Sequence, residues 1–378
     1  MEKPAVSAAA PTTAEQWSWS FYAVVGILAV SFIVGAYFLY IFLTSHAANP
    51  PSDAAGTKNL DVFQEVISGS KKEGFANAPV GCPSPNVLCD YTMAASANST
   101  YAGKTAYDYT YVSSIEKVIK GGARLVDLHV YDIDDIPTVG LSDPKTGTLY
   151  SYNGVTLEDC CVSVANTAFA AGTPGNQNPF VLSLKFHSTD NAFMNSCADV
   201  IKTTVSKYLL DLPYTYQKKN LAVEPICKLL GKLIIVSGKE TKGNGMDELT
   251  NMSWDSSNMR RLTYRQAAET YDYEELTEFN RRGITLVVPE EGTNFKNGNP
   301  QICFGFGCQW VAMNYGSLDD ALDTYIGTYL EGSFVLKPEA LRYKPLTYKT
   351  PPPQNPARSF QPKQITSPMY DFTIKSAT

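Results

Sequence analysis

The chain has 378 residues, of which 44% are hydrophobic, 18% charged and 12% aromatic. This composition is typical of a folded protein with a sizeable core, and it excludes bulk disorder. The formal net charge of −6 argues against a nucleic-acid-binding surface, because such surfaces collect Lys and Arg on one face.

The N-terminal region contains a long apolar stretch. Residues 1–20 form a stub, and residues 21–43 carry no charged side chain over a length that spans roughly 30 Å of hydrocarbon as a helix. We therefore predict a single transmembrane helix. A cleaved signal peptide is the rival interpretation, but it needs a basic leader and a shorter apolar core, whereas this leader carries Glu2, Lys3 and Glu15. Neither flank has a Lys/Arg cluster, so the membrane topology stays open.

The rest of the chain divides into a linker, a folded domain and a tail. Residues 44–59 are small and polar, as in a flexible linker, and residues 60–342 alternate short apolar runs with amphipathic stretches, which predicts an α/β fold. Residues 343–378 are rich in Pro and predict an extended tail laid along another surface. The clearest predicted strands are GARLVDLHVYD, PFVLSLKFH, KLIIVSG, ITLVVP and CQWVAMNY, and the predicted helices are SSIEKVIKGG, ending at Gly121 and Gly122, and 192–210.

The eight cysteines are widely scattered, and none of them forms a zinc-binding motif. Cys82 and Cys89 flank a Pro-containing loop and are candidates for a disulfide. Scattered thiols in a reducing compartment fit the spacing equally well. The redox state therefore stays open at this stage.

Four blocks in order carry a family resemblance: ASANSTYAGK, SSIEKVIKGGARLVDLHVYD, PFVLSLKFH and GCQWVAMNYGSLDDALDTYIGTYLEGSFVLKPEALR. Together they resemble the catalytic barrel of eukaryotic phosphoinositide-specific phospholipases C. The resemblance implies a TIM-type (β/α)8 barrel of the phospholipase C-like phosphodiesterase kind, preceded by the transmembrane helix and followed by the Pro-rich tail.

The resemblance also implies a site with two histidines, one stabilising charge on phosphorus and one protonating the leaving group. Ala97 stands at the first of these positions. Asn153 stands at the second, or Leu141 if the gap is placed differently, so neither alignment provides an imidazole. The chain contains only three histidines, which are His46, His129 and His187.

The family's calcium ligands are altered in the same way. Asn98 is retained and Asp127 replaces a Glu, but His129 stands where the family has Asp and Lys185 where it has the final Glu. An ammonium group in the pocket is incompatible with calcium, so we predict no metal and no other cofactor. Strand alternation places Asp127, His129, Lys185 and His187 toward the barrel mouth, and we hypothesise that Lys185 pairs with Asp127 as an internal cation.

Substrate-binding positions differ as well. Leu286 and Phe295 occupy positions where the family has a phosphate-binding Arg and a stacking Tyr. These replacements predict a degenerate site with no catalytic residues, and hence a pseudoenzyme.

The resulting prediction is a catalytically inactive, membrane-anchored scaffold that contacts the bilayer through its helix and protein neighbours through its tail. By analogy with barrels of this family in large DNA viruses, a minor capsid protein linking a shell to an internal membrane fits this description. Two alternatives remain: a calcium-independent phosphodiesterase acting on phospholipid head groups, and a phosphoinositide-binding pseudoenzyme. Origin, partner identity and oligomeric state are left undecided.

Overall fold

The computed structural model describes residues 19–47, 75–76, 86–102, 109–141, 151–292, 295–345 and 362–375. Its first element is helix α1 (Trp19–Ala47), whose segment Phe21–Tyr40 is fully exposed and is long and apolar enough to cross a membrane. A signal sequence near an N-terminus meets the same criteria of length and composition. Most of the predicted linker lies outside the described residues.

Eight parallel strands form a nearly closed barrel. Each is hydrogen-bonded to its neighbours in the order β5-β4-β3-β2-β1-β8-β7-β6, and β5 and β6 lie side by side where the ring meets. This arrangement confirms the predicted TIM-type fold. The strands are β1 (Tyr91–Ser96), β2 (Leu125–Ile133), β3 (Phe180–Phe186), β4 (Leu233–Ser237), β5 (Met252–Ser253), β6 (Met259–Thr263), β7 (Ile284–Val288) and β8 (Trp310–Met313).

Helices connect the strands and pack on the outside of the barrel. The predicted helix before β2 is confirmed: Ile115, Val118 and Ile119 bury one face, and the chain turns at Gly122, whose positive φ of 100° suits glycine. The helices after α1 are α2 (Val112–Lys120), α3 (Leu157–Ala168), α4 (Asn191–Val205), α5 (Gly245–Leu249), α6 (Tyr264–Ala268), α7 (Tyr273–Phe279), α8 (Pro300–Gly305) and α9 (Asp320–Thr328).

Side-chain alternation along the strands separates two apolar cores. On β2, Val126, Leu128 and Val130 join the cluster between the barrel and its helices, whereas Leu125 joins the cluster inside the barrel. Because successive side chains of a strand point to opposite faces, Asp127 and His129 share the inward face with Leu125. Buried polar groups are normally hydrogen-bonded, and those of Asp127 and His129 lie toward the carboxyl end of β2.

At the opposite end of the barrel, where the strands begin, the segment before β1 and the segment after the last strand of the domain lie close together. Asp90 joins them: its carboxylate accepts hydrogen bonds from the backbone N–H of Val87 at 2.9 Å and of Tyr343 at 2.6 Å. Nearby, the buried Lys337 ammonium donates to the carbonyls of Asn280 and Gly307, and burial lowers its pKa to about 8.

The buried guanidinium of Arg124 links the end of α3 to the start of β2. It forms no ion pair with a carboxylate among the described residues. Arg124 donates to the carbonyl of Ala168 at 2.7 Å, at the end of α3, and to that of Asn178 at 2.8 Å. Its guanidinium also lies over the rings of Phe169 and Phe180. Burial lowers the pKa of Arg124 to about 9, so this cation depends on the helix carbonyls and aromatic faces for compensation.

The structure answers the open question about Cys82 and Cys89 and shows part of the tail. Cys89 is a buried free thiol and does not pair with Cys82, which lies outside the described residues. Cys227 is disulfide-bonded instead, to a partner outside the described residues. In the tail, Lys363–Ser367 and Tyr370–Ile374 pair as an antiparallel hairpin, and the prediction that the tail lies along another surface stays a prediction.

Short additional strands extend the sheet outside the eight-strand ring. Ile136–Gly140 folds back on the end of β2 and pairs with Val155–Thr156, and Phe334–Leu336 runs antiparallel to β1 and pairs with Phe75–Ala76.

Candidate functional site

A polar pocket opens at the carboxyl ends of the strands, the end at which TIM barrels carry their active sites. Its polar walls come from β2, β6 and the loops after β1 and β7. The free volume is about 20 Å³, room for a water molecule or two. Its polar lining consists of Asn98, Asp127, His129, Arg261, Glu290 and Glu291.

An ion pair spans the interior just below this pocket. Arg261 on β6 donates two hydrogen bonds to the Asp127 carboxylate, at 2.6 and 2.9 Å, and Ser183 on β3 donates a third at 2.6 Å. Burial alone would raise the pKa of Asp127, but the charge and hydrogen bonds of Arg261 outweigh it and hold this pKa at about 2. Asp127 is therefore ionised and fully engaged.

Two imidazoles lie in contact beside the ion pair. His129 Nδ1 is 3.2 Å from His187 Nε2, and His129 Nε2 is 3.4 Å from Arg261 Nη2. Because a guanidinium only donates, the Nε2 atom of His129 accepts and its proton is on Nδ1. His129 thus donates to His187, whose proton is on its own Nδ1. The Tyr131 ring stacks on His187 at 4.3 Å.

Both imidazoles are neutral near pH 7. Burial lowers the pKa of His129 well below its usual range, and the Asp127 carboxylate opposes this effect only in part. Burial, followed by the positive charge of Lys185, lowers the pKa of His187 to about 4. The site therefore holds a pair of uncharged bases next to a fixed cation.

The hypothesis that Lys185 pairs with Asp127 is wrong. Lys185 forms an ion pair with Glu291, in the loop after β7, and the cation that engages Asp127 is Arg261. The Lys185 and Glu291 side chains are 26% and 32% exposed, so this pair lies at the rim of the pocket and the Asp127 pair lies below it.

The mouth does not fit the calcium ion that the family resemblance implies. Both oxygens of Asp127 are engaged by Arg261, and the positive charge of Lys185 acts on His129, which stands where the family has a second carboxylate. Asn98 Nδ2 donates to Asn314 Oδ1 at 3.2 Å, so Asn98 is part of a polar network. Within the described residues, no group of three or more His, Cys, Asp or Glu side chains could hold a metal ion.

The positions aligned with the family histidines lie in different surroundings. Ala97 and Leu141 both line the pocket. Asn153 instead ties two loops together: its Oδ1 accepts from the backbone N–H of Thr110 at 2.7 Å and its Nδ2 donates to the Thr110 carbonyl at 2.9 Å. Leu141 is therefore the residue of the two alternatives that reaches the pocket.

The predicted substrate-binding positions are apolar and separated. Leu286 is fully buried in the core inside the barrel. Phe295 lines the pocket and packs on Tyr101 with ring centroids 5.3 Å apart. Phe295, Tyr101 and Leu141 form a small apolar cluster on one wall of the pocket.

Arg261 was missed in the sequence analysis. Its strand has only five residues, MRRLT, and contains two adjacent arginines of which one faces inward. A period of two, with Met259 buried inside the barrel, is the signal that could have identified it.

Comparison with known proteins agrees with this geometry. Residues 85–240 match the family model described as phosphatidylinositol-specific phospholipase C, X domain, and residues 231–340 match the corresponding Y domain. The crystal structures of PLC21 from S. officinalis and from L. pealei superpose with a TM-score of 0.58 each, at 20% and 19% identity over 69% of this chain. The chain covers 38% of each of those proteins.

A Drosophila melanogaster enzyme, 1-phosphatidylinositol 4,5-bisphosphate phosphodiesterase classes I and II, is 34% identical over 73 residues, covering 18% of this chain and 6% of that enzyme. The matches to both the X and the Y domain contradict the prediction of a pseudoenzyme. Replacement of the two aligned histidines does not establish inactivity, because the mouth contains another imidazole pair.

Proposed function

The chain belongs to the phosphatidylinositol-specific phospholipase C family, and from this premise we propose that it is a membrane-anchored phosphodiesterase that acts on phospholipid head groups without calcium. The observation that carries the proposal is the neutral His129–His187 pair beside Arg261 at the barrel mouth. It combines the two things that cleavage of a phosphodiester needs, a group that moves protons and a fixed positive charge.

In this proposal, His187 is the proton-transfer group. When a hydroxyl of the substrate replaces His129 as the partner of His187 Nε2, the imidazole takes the hydroxyl proton as the oxygen attacks phosphorus. The resulting imidazolium then returns a proton to the leaving oxygen. Asp127 cannot serve as this base, because its pKa of about 2 makes its carboxylate too weak.

Positive charge at the mouth supports the same chemistry. The charge of Arg261 acts on the mouth at close range, although its terminal nitrogens are already directed to Asp127, Ser183 and His129. Lys185 stands at the rim. An entering phosphate competes with Glu291 for Lys185, since a partly exposed ion pair is worth only about 0–1 kcal/mol. Placing an anion beside Lys185 raises the pKa of His187, which makes it a better base when substrate is present.

The test is a hydrolysis assay on the full chain in mixed micelles of phosphatidylinositol or its phosphates, with calcium or with a chelator. We expect turnover in the chelator that is lost in His187→Gln and His129→Gln and retained in the matched control His46→Gln, which lies on α1. No turnover on any of these lipids, under conditions where a calcium-dependent family enzyme is active, would overturn the proposal.

A second function, tethering, is favoured by the two ends of the chain. The apolar helix α1 suits a bilayer, and the C-terminal hairpin exposes Tyr370, Phe372 and Ile374 on one face. We propose that this face contacts a protein neighbour, as in an assembly that links a membrane to a capsid shell. Cross-linking from position 372 in the native membrane, compared with a chain that lacks residues 362–378, tests this proposal. If no cross-linked product depends on the hairpin, the proposal is wrong.

A further inference from the structure

A surface loop at the end of the barrel opposite the pocket differs in character from the rest of the protein. Residues 206–232 connect α4 to β4. Leu209 bridges to Leu233, and the carbonyl of Lys232 accepts from Phe180 N at 2.9 Å, where β3 begins. This segment therefore lies at the end where the strands start, far from the His129–His187 pair.

The segment is basic in an acidic chain. It contains five lysines and two acidic residues, a formal charge of +3, whereas the whole chain carries −6. Lys228 and Lys232 pair with the two acids, Glu224 and Asp211. Within the described part of the chain, the other three lysines form no salt bridge, although Lys219 lies near enough to Glu224 to act on its charge. Each of the three lies over a tyrosine ring: Lys207 over Tyr208, Lys218 over Tyr216 and Lys219 over Tyr214.

The same loop exposes apolar side chains next to these lysines. Leu212 is 76% exposed and Tyr216 is 50% exposed, with the exposed Pro213 between them. Tyr216 and Gln217 both have φ of 53°, a left-handed conformation that such residues rarely adopt and that costs free energy. The fold thus holds a strained turn that keeps a leucine and a tyrosine in solvent beside lysines that form no salt bridge among the described residues.

The loop also packs on the part of the chain that arrives from α1. Leu88 N donates to the Glu224 carbonyl at 3.0 Å, and Ile226 N donates to that of Asn86 at 3.3 Å. Residues 86–88 begin the continuous part of the barrel that follows α1. The basic loop therefore lies against the segment that leads into β1.

From these observations we propose that residues 207–219 form a docking surface for anionic lipid head groups of the bilayer that holds α1. The inference rests on the membrane anchoring in the proposed function. Each lysine close to an anionic surface contributes on the order of 1 kcal/mol, and leucine, proline and tyrosine suit the interface between head groups and acyl chains. An acidic protein partner would use the lysines but would not need Leu212 and Tyr216 in solvent.

The docking surface fixes the orientation of the barrel. With residues 207–219 on the bilayer, the pocket at the other end points away from the anchoring membrane. Substrate then reaches the His129–His187 pair from an apposed surface or from solution, and the lipids around α1 are not its source.

The test uses the full chain in nanodiscs of phosphatidylcholine alone or mixed with phosphatidylserine, with hydrogen exchange measured by mass spectrometry. We expect exchange in residues 207–219 to slow several-fold only with phosphatidylserine, and the paired variant Lys218→Glu, Lys219→Glu to remove this protection. The charge-matched control, Lys239→Glu with Lys242→Glu after β4 at the pocket end, should retain it.

Equal exchange in the two lipids would overturn the inference, as would protection that is unchanged in the Lys218→Glu, Lys219→Glu variant. If the chain does not migrate with lipid of either composition in a density-gradient flotation assay, both the anchoring and this inference are overturned. Hydrolysis is measured in a separate assay. If the chain shows no turnover but residues 207–219 are still protected by phosphatidylserine, only the proposed phosphodiesterase activity is refuted.

Discussion

Arg261 and Asp127 join opposite walls of the barrel through two hydrogen bonds of 2.6 and 2.9 Å. Their strands, β6 and β2, are separated by three others in either direction around the eight-strand ring. Asp127 is 1% exposed and Arg261 9%, so the pair is shielded from water. It supplies the fixed positive charge of the mouth and also ties its two sides together.

We expect Arg261→Met to destabilise the protein by about 3–5 kcal/mol, because it leaves the Asp127 carboxylate buried without its cation. Denaturant unfolding of the full chain in detergent, followed by tryptophan fluorescence, measures this loss. The double variant Asp127→Asn, Arg261→Met should recover part of it, since the uncompensated charge is gone. A single variant as stable as the wild type would show that the ion pair is not structural.

Acidification should destabilise the barrel through the two histidines. An imidazole has a pKa near 6.5 when unfolded, and the pKa of His187 in the folded protein is about 4, so the unfolded state binds more protons between these values. Stability present above pH 6.5 is therefore lost as the pH falls toward 4. We expect the Tm of the wild type to fall by roughly 5 °C over this range, and by less in His187→Gln. Equal slopes would contradict the pKa assignment.

Lys185→Met should raise the pKa of His187. Burial is the larger cause of the low value and the Lys185 charge is the next, so removing that charge moves the pKa upward without restoring the ordinary value. NMR titration of the His187 ring protons measures the shift. Lys202→Met, which breaks a surface ion pair with Glu248, is the matched control and should leave the titration unchanged.

Calcium should not stabilise the fold. The two oxygens of Asp127 are occupied by Arg261, and the positive charge of Lys185 acts on the neighbouring His129. A thermal scan of the full chain with millimolar calcium should superimpose on a scan with chelator, since a bound ligand would raise the Tm by mass action. A calcium-dependent rise that disappears in Asp127→Asn would place a metal at the mouth after all.

The sequence was informative where the local pattern carries the structure. Largely apolar runs predicted β2, β3, β4, β7 and β8, which have four to nine residues, and Gly122 marked the end of α2. Strand alternation put Asp127 and His129 on the inward face. β1, β5 and β6 were not predicted: β5 has only two residues, and polar or charged side chains interrupt the short sequences of β1 (YTMAAS) and β6 (MRRLT).

The partners of the charged residues could not be predicted in the same way. Lys185 follows the inward alternation of β3, but whether it contacts Asp127 or Glu291 depends on how loops cross the mouth. Arg261 reaches Asp127 from 134 residues away in sequence. The contact between His129 and His187 likewise depends on the registry of β2 against β3, in which His129 lies opposite Lys185. Each of these pairings is decided by long-range geometry, which a local sequence pattern does not reveal.

Removing the C-terminal hairpin should leave the barrel intact. Most of the hairpin's side chains are exposed, and among the described hydrogen bonds of residues 343–345 and 362–375 the one that reaches the barrel is from Tyr343 N to Asp90. A chain that ends after residue 361 should therefore unfold at the wild-type Tm. A chain that ends after residue 342 loses the bond to Asp90, leaves a buried carboxylate oxygen without that donor, and should be less stable by about 1–3 kcal/mol. A large drop in Tm on removing the hairpin alone would mean that it packs on the barrel.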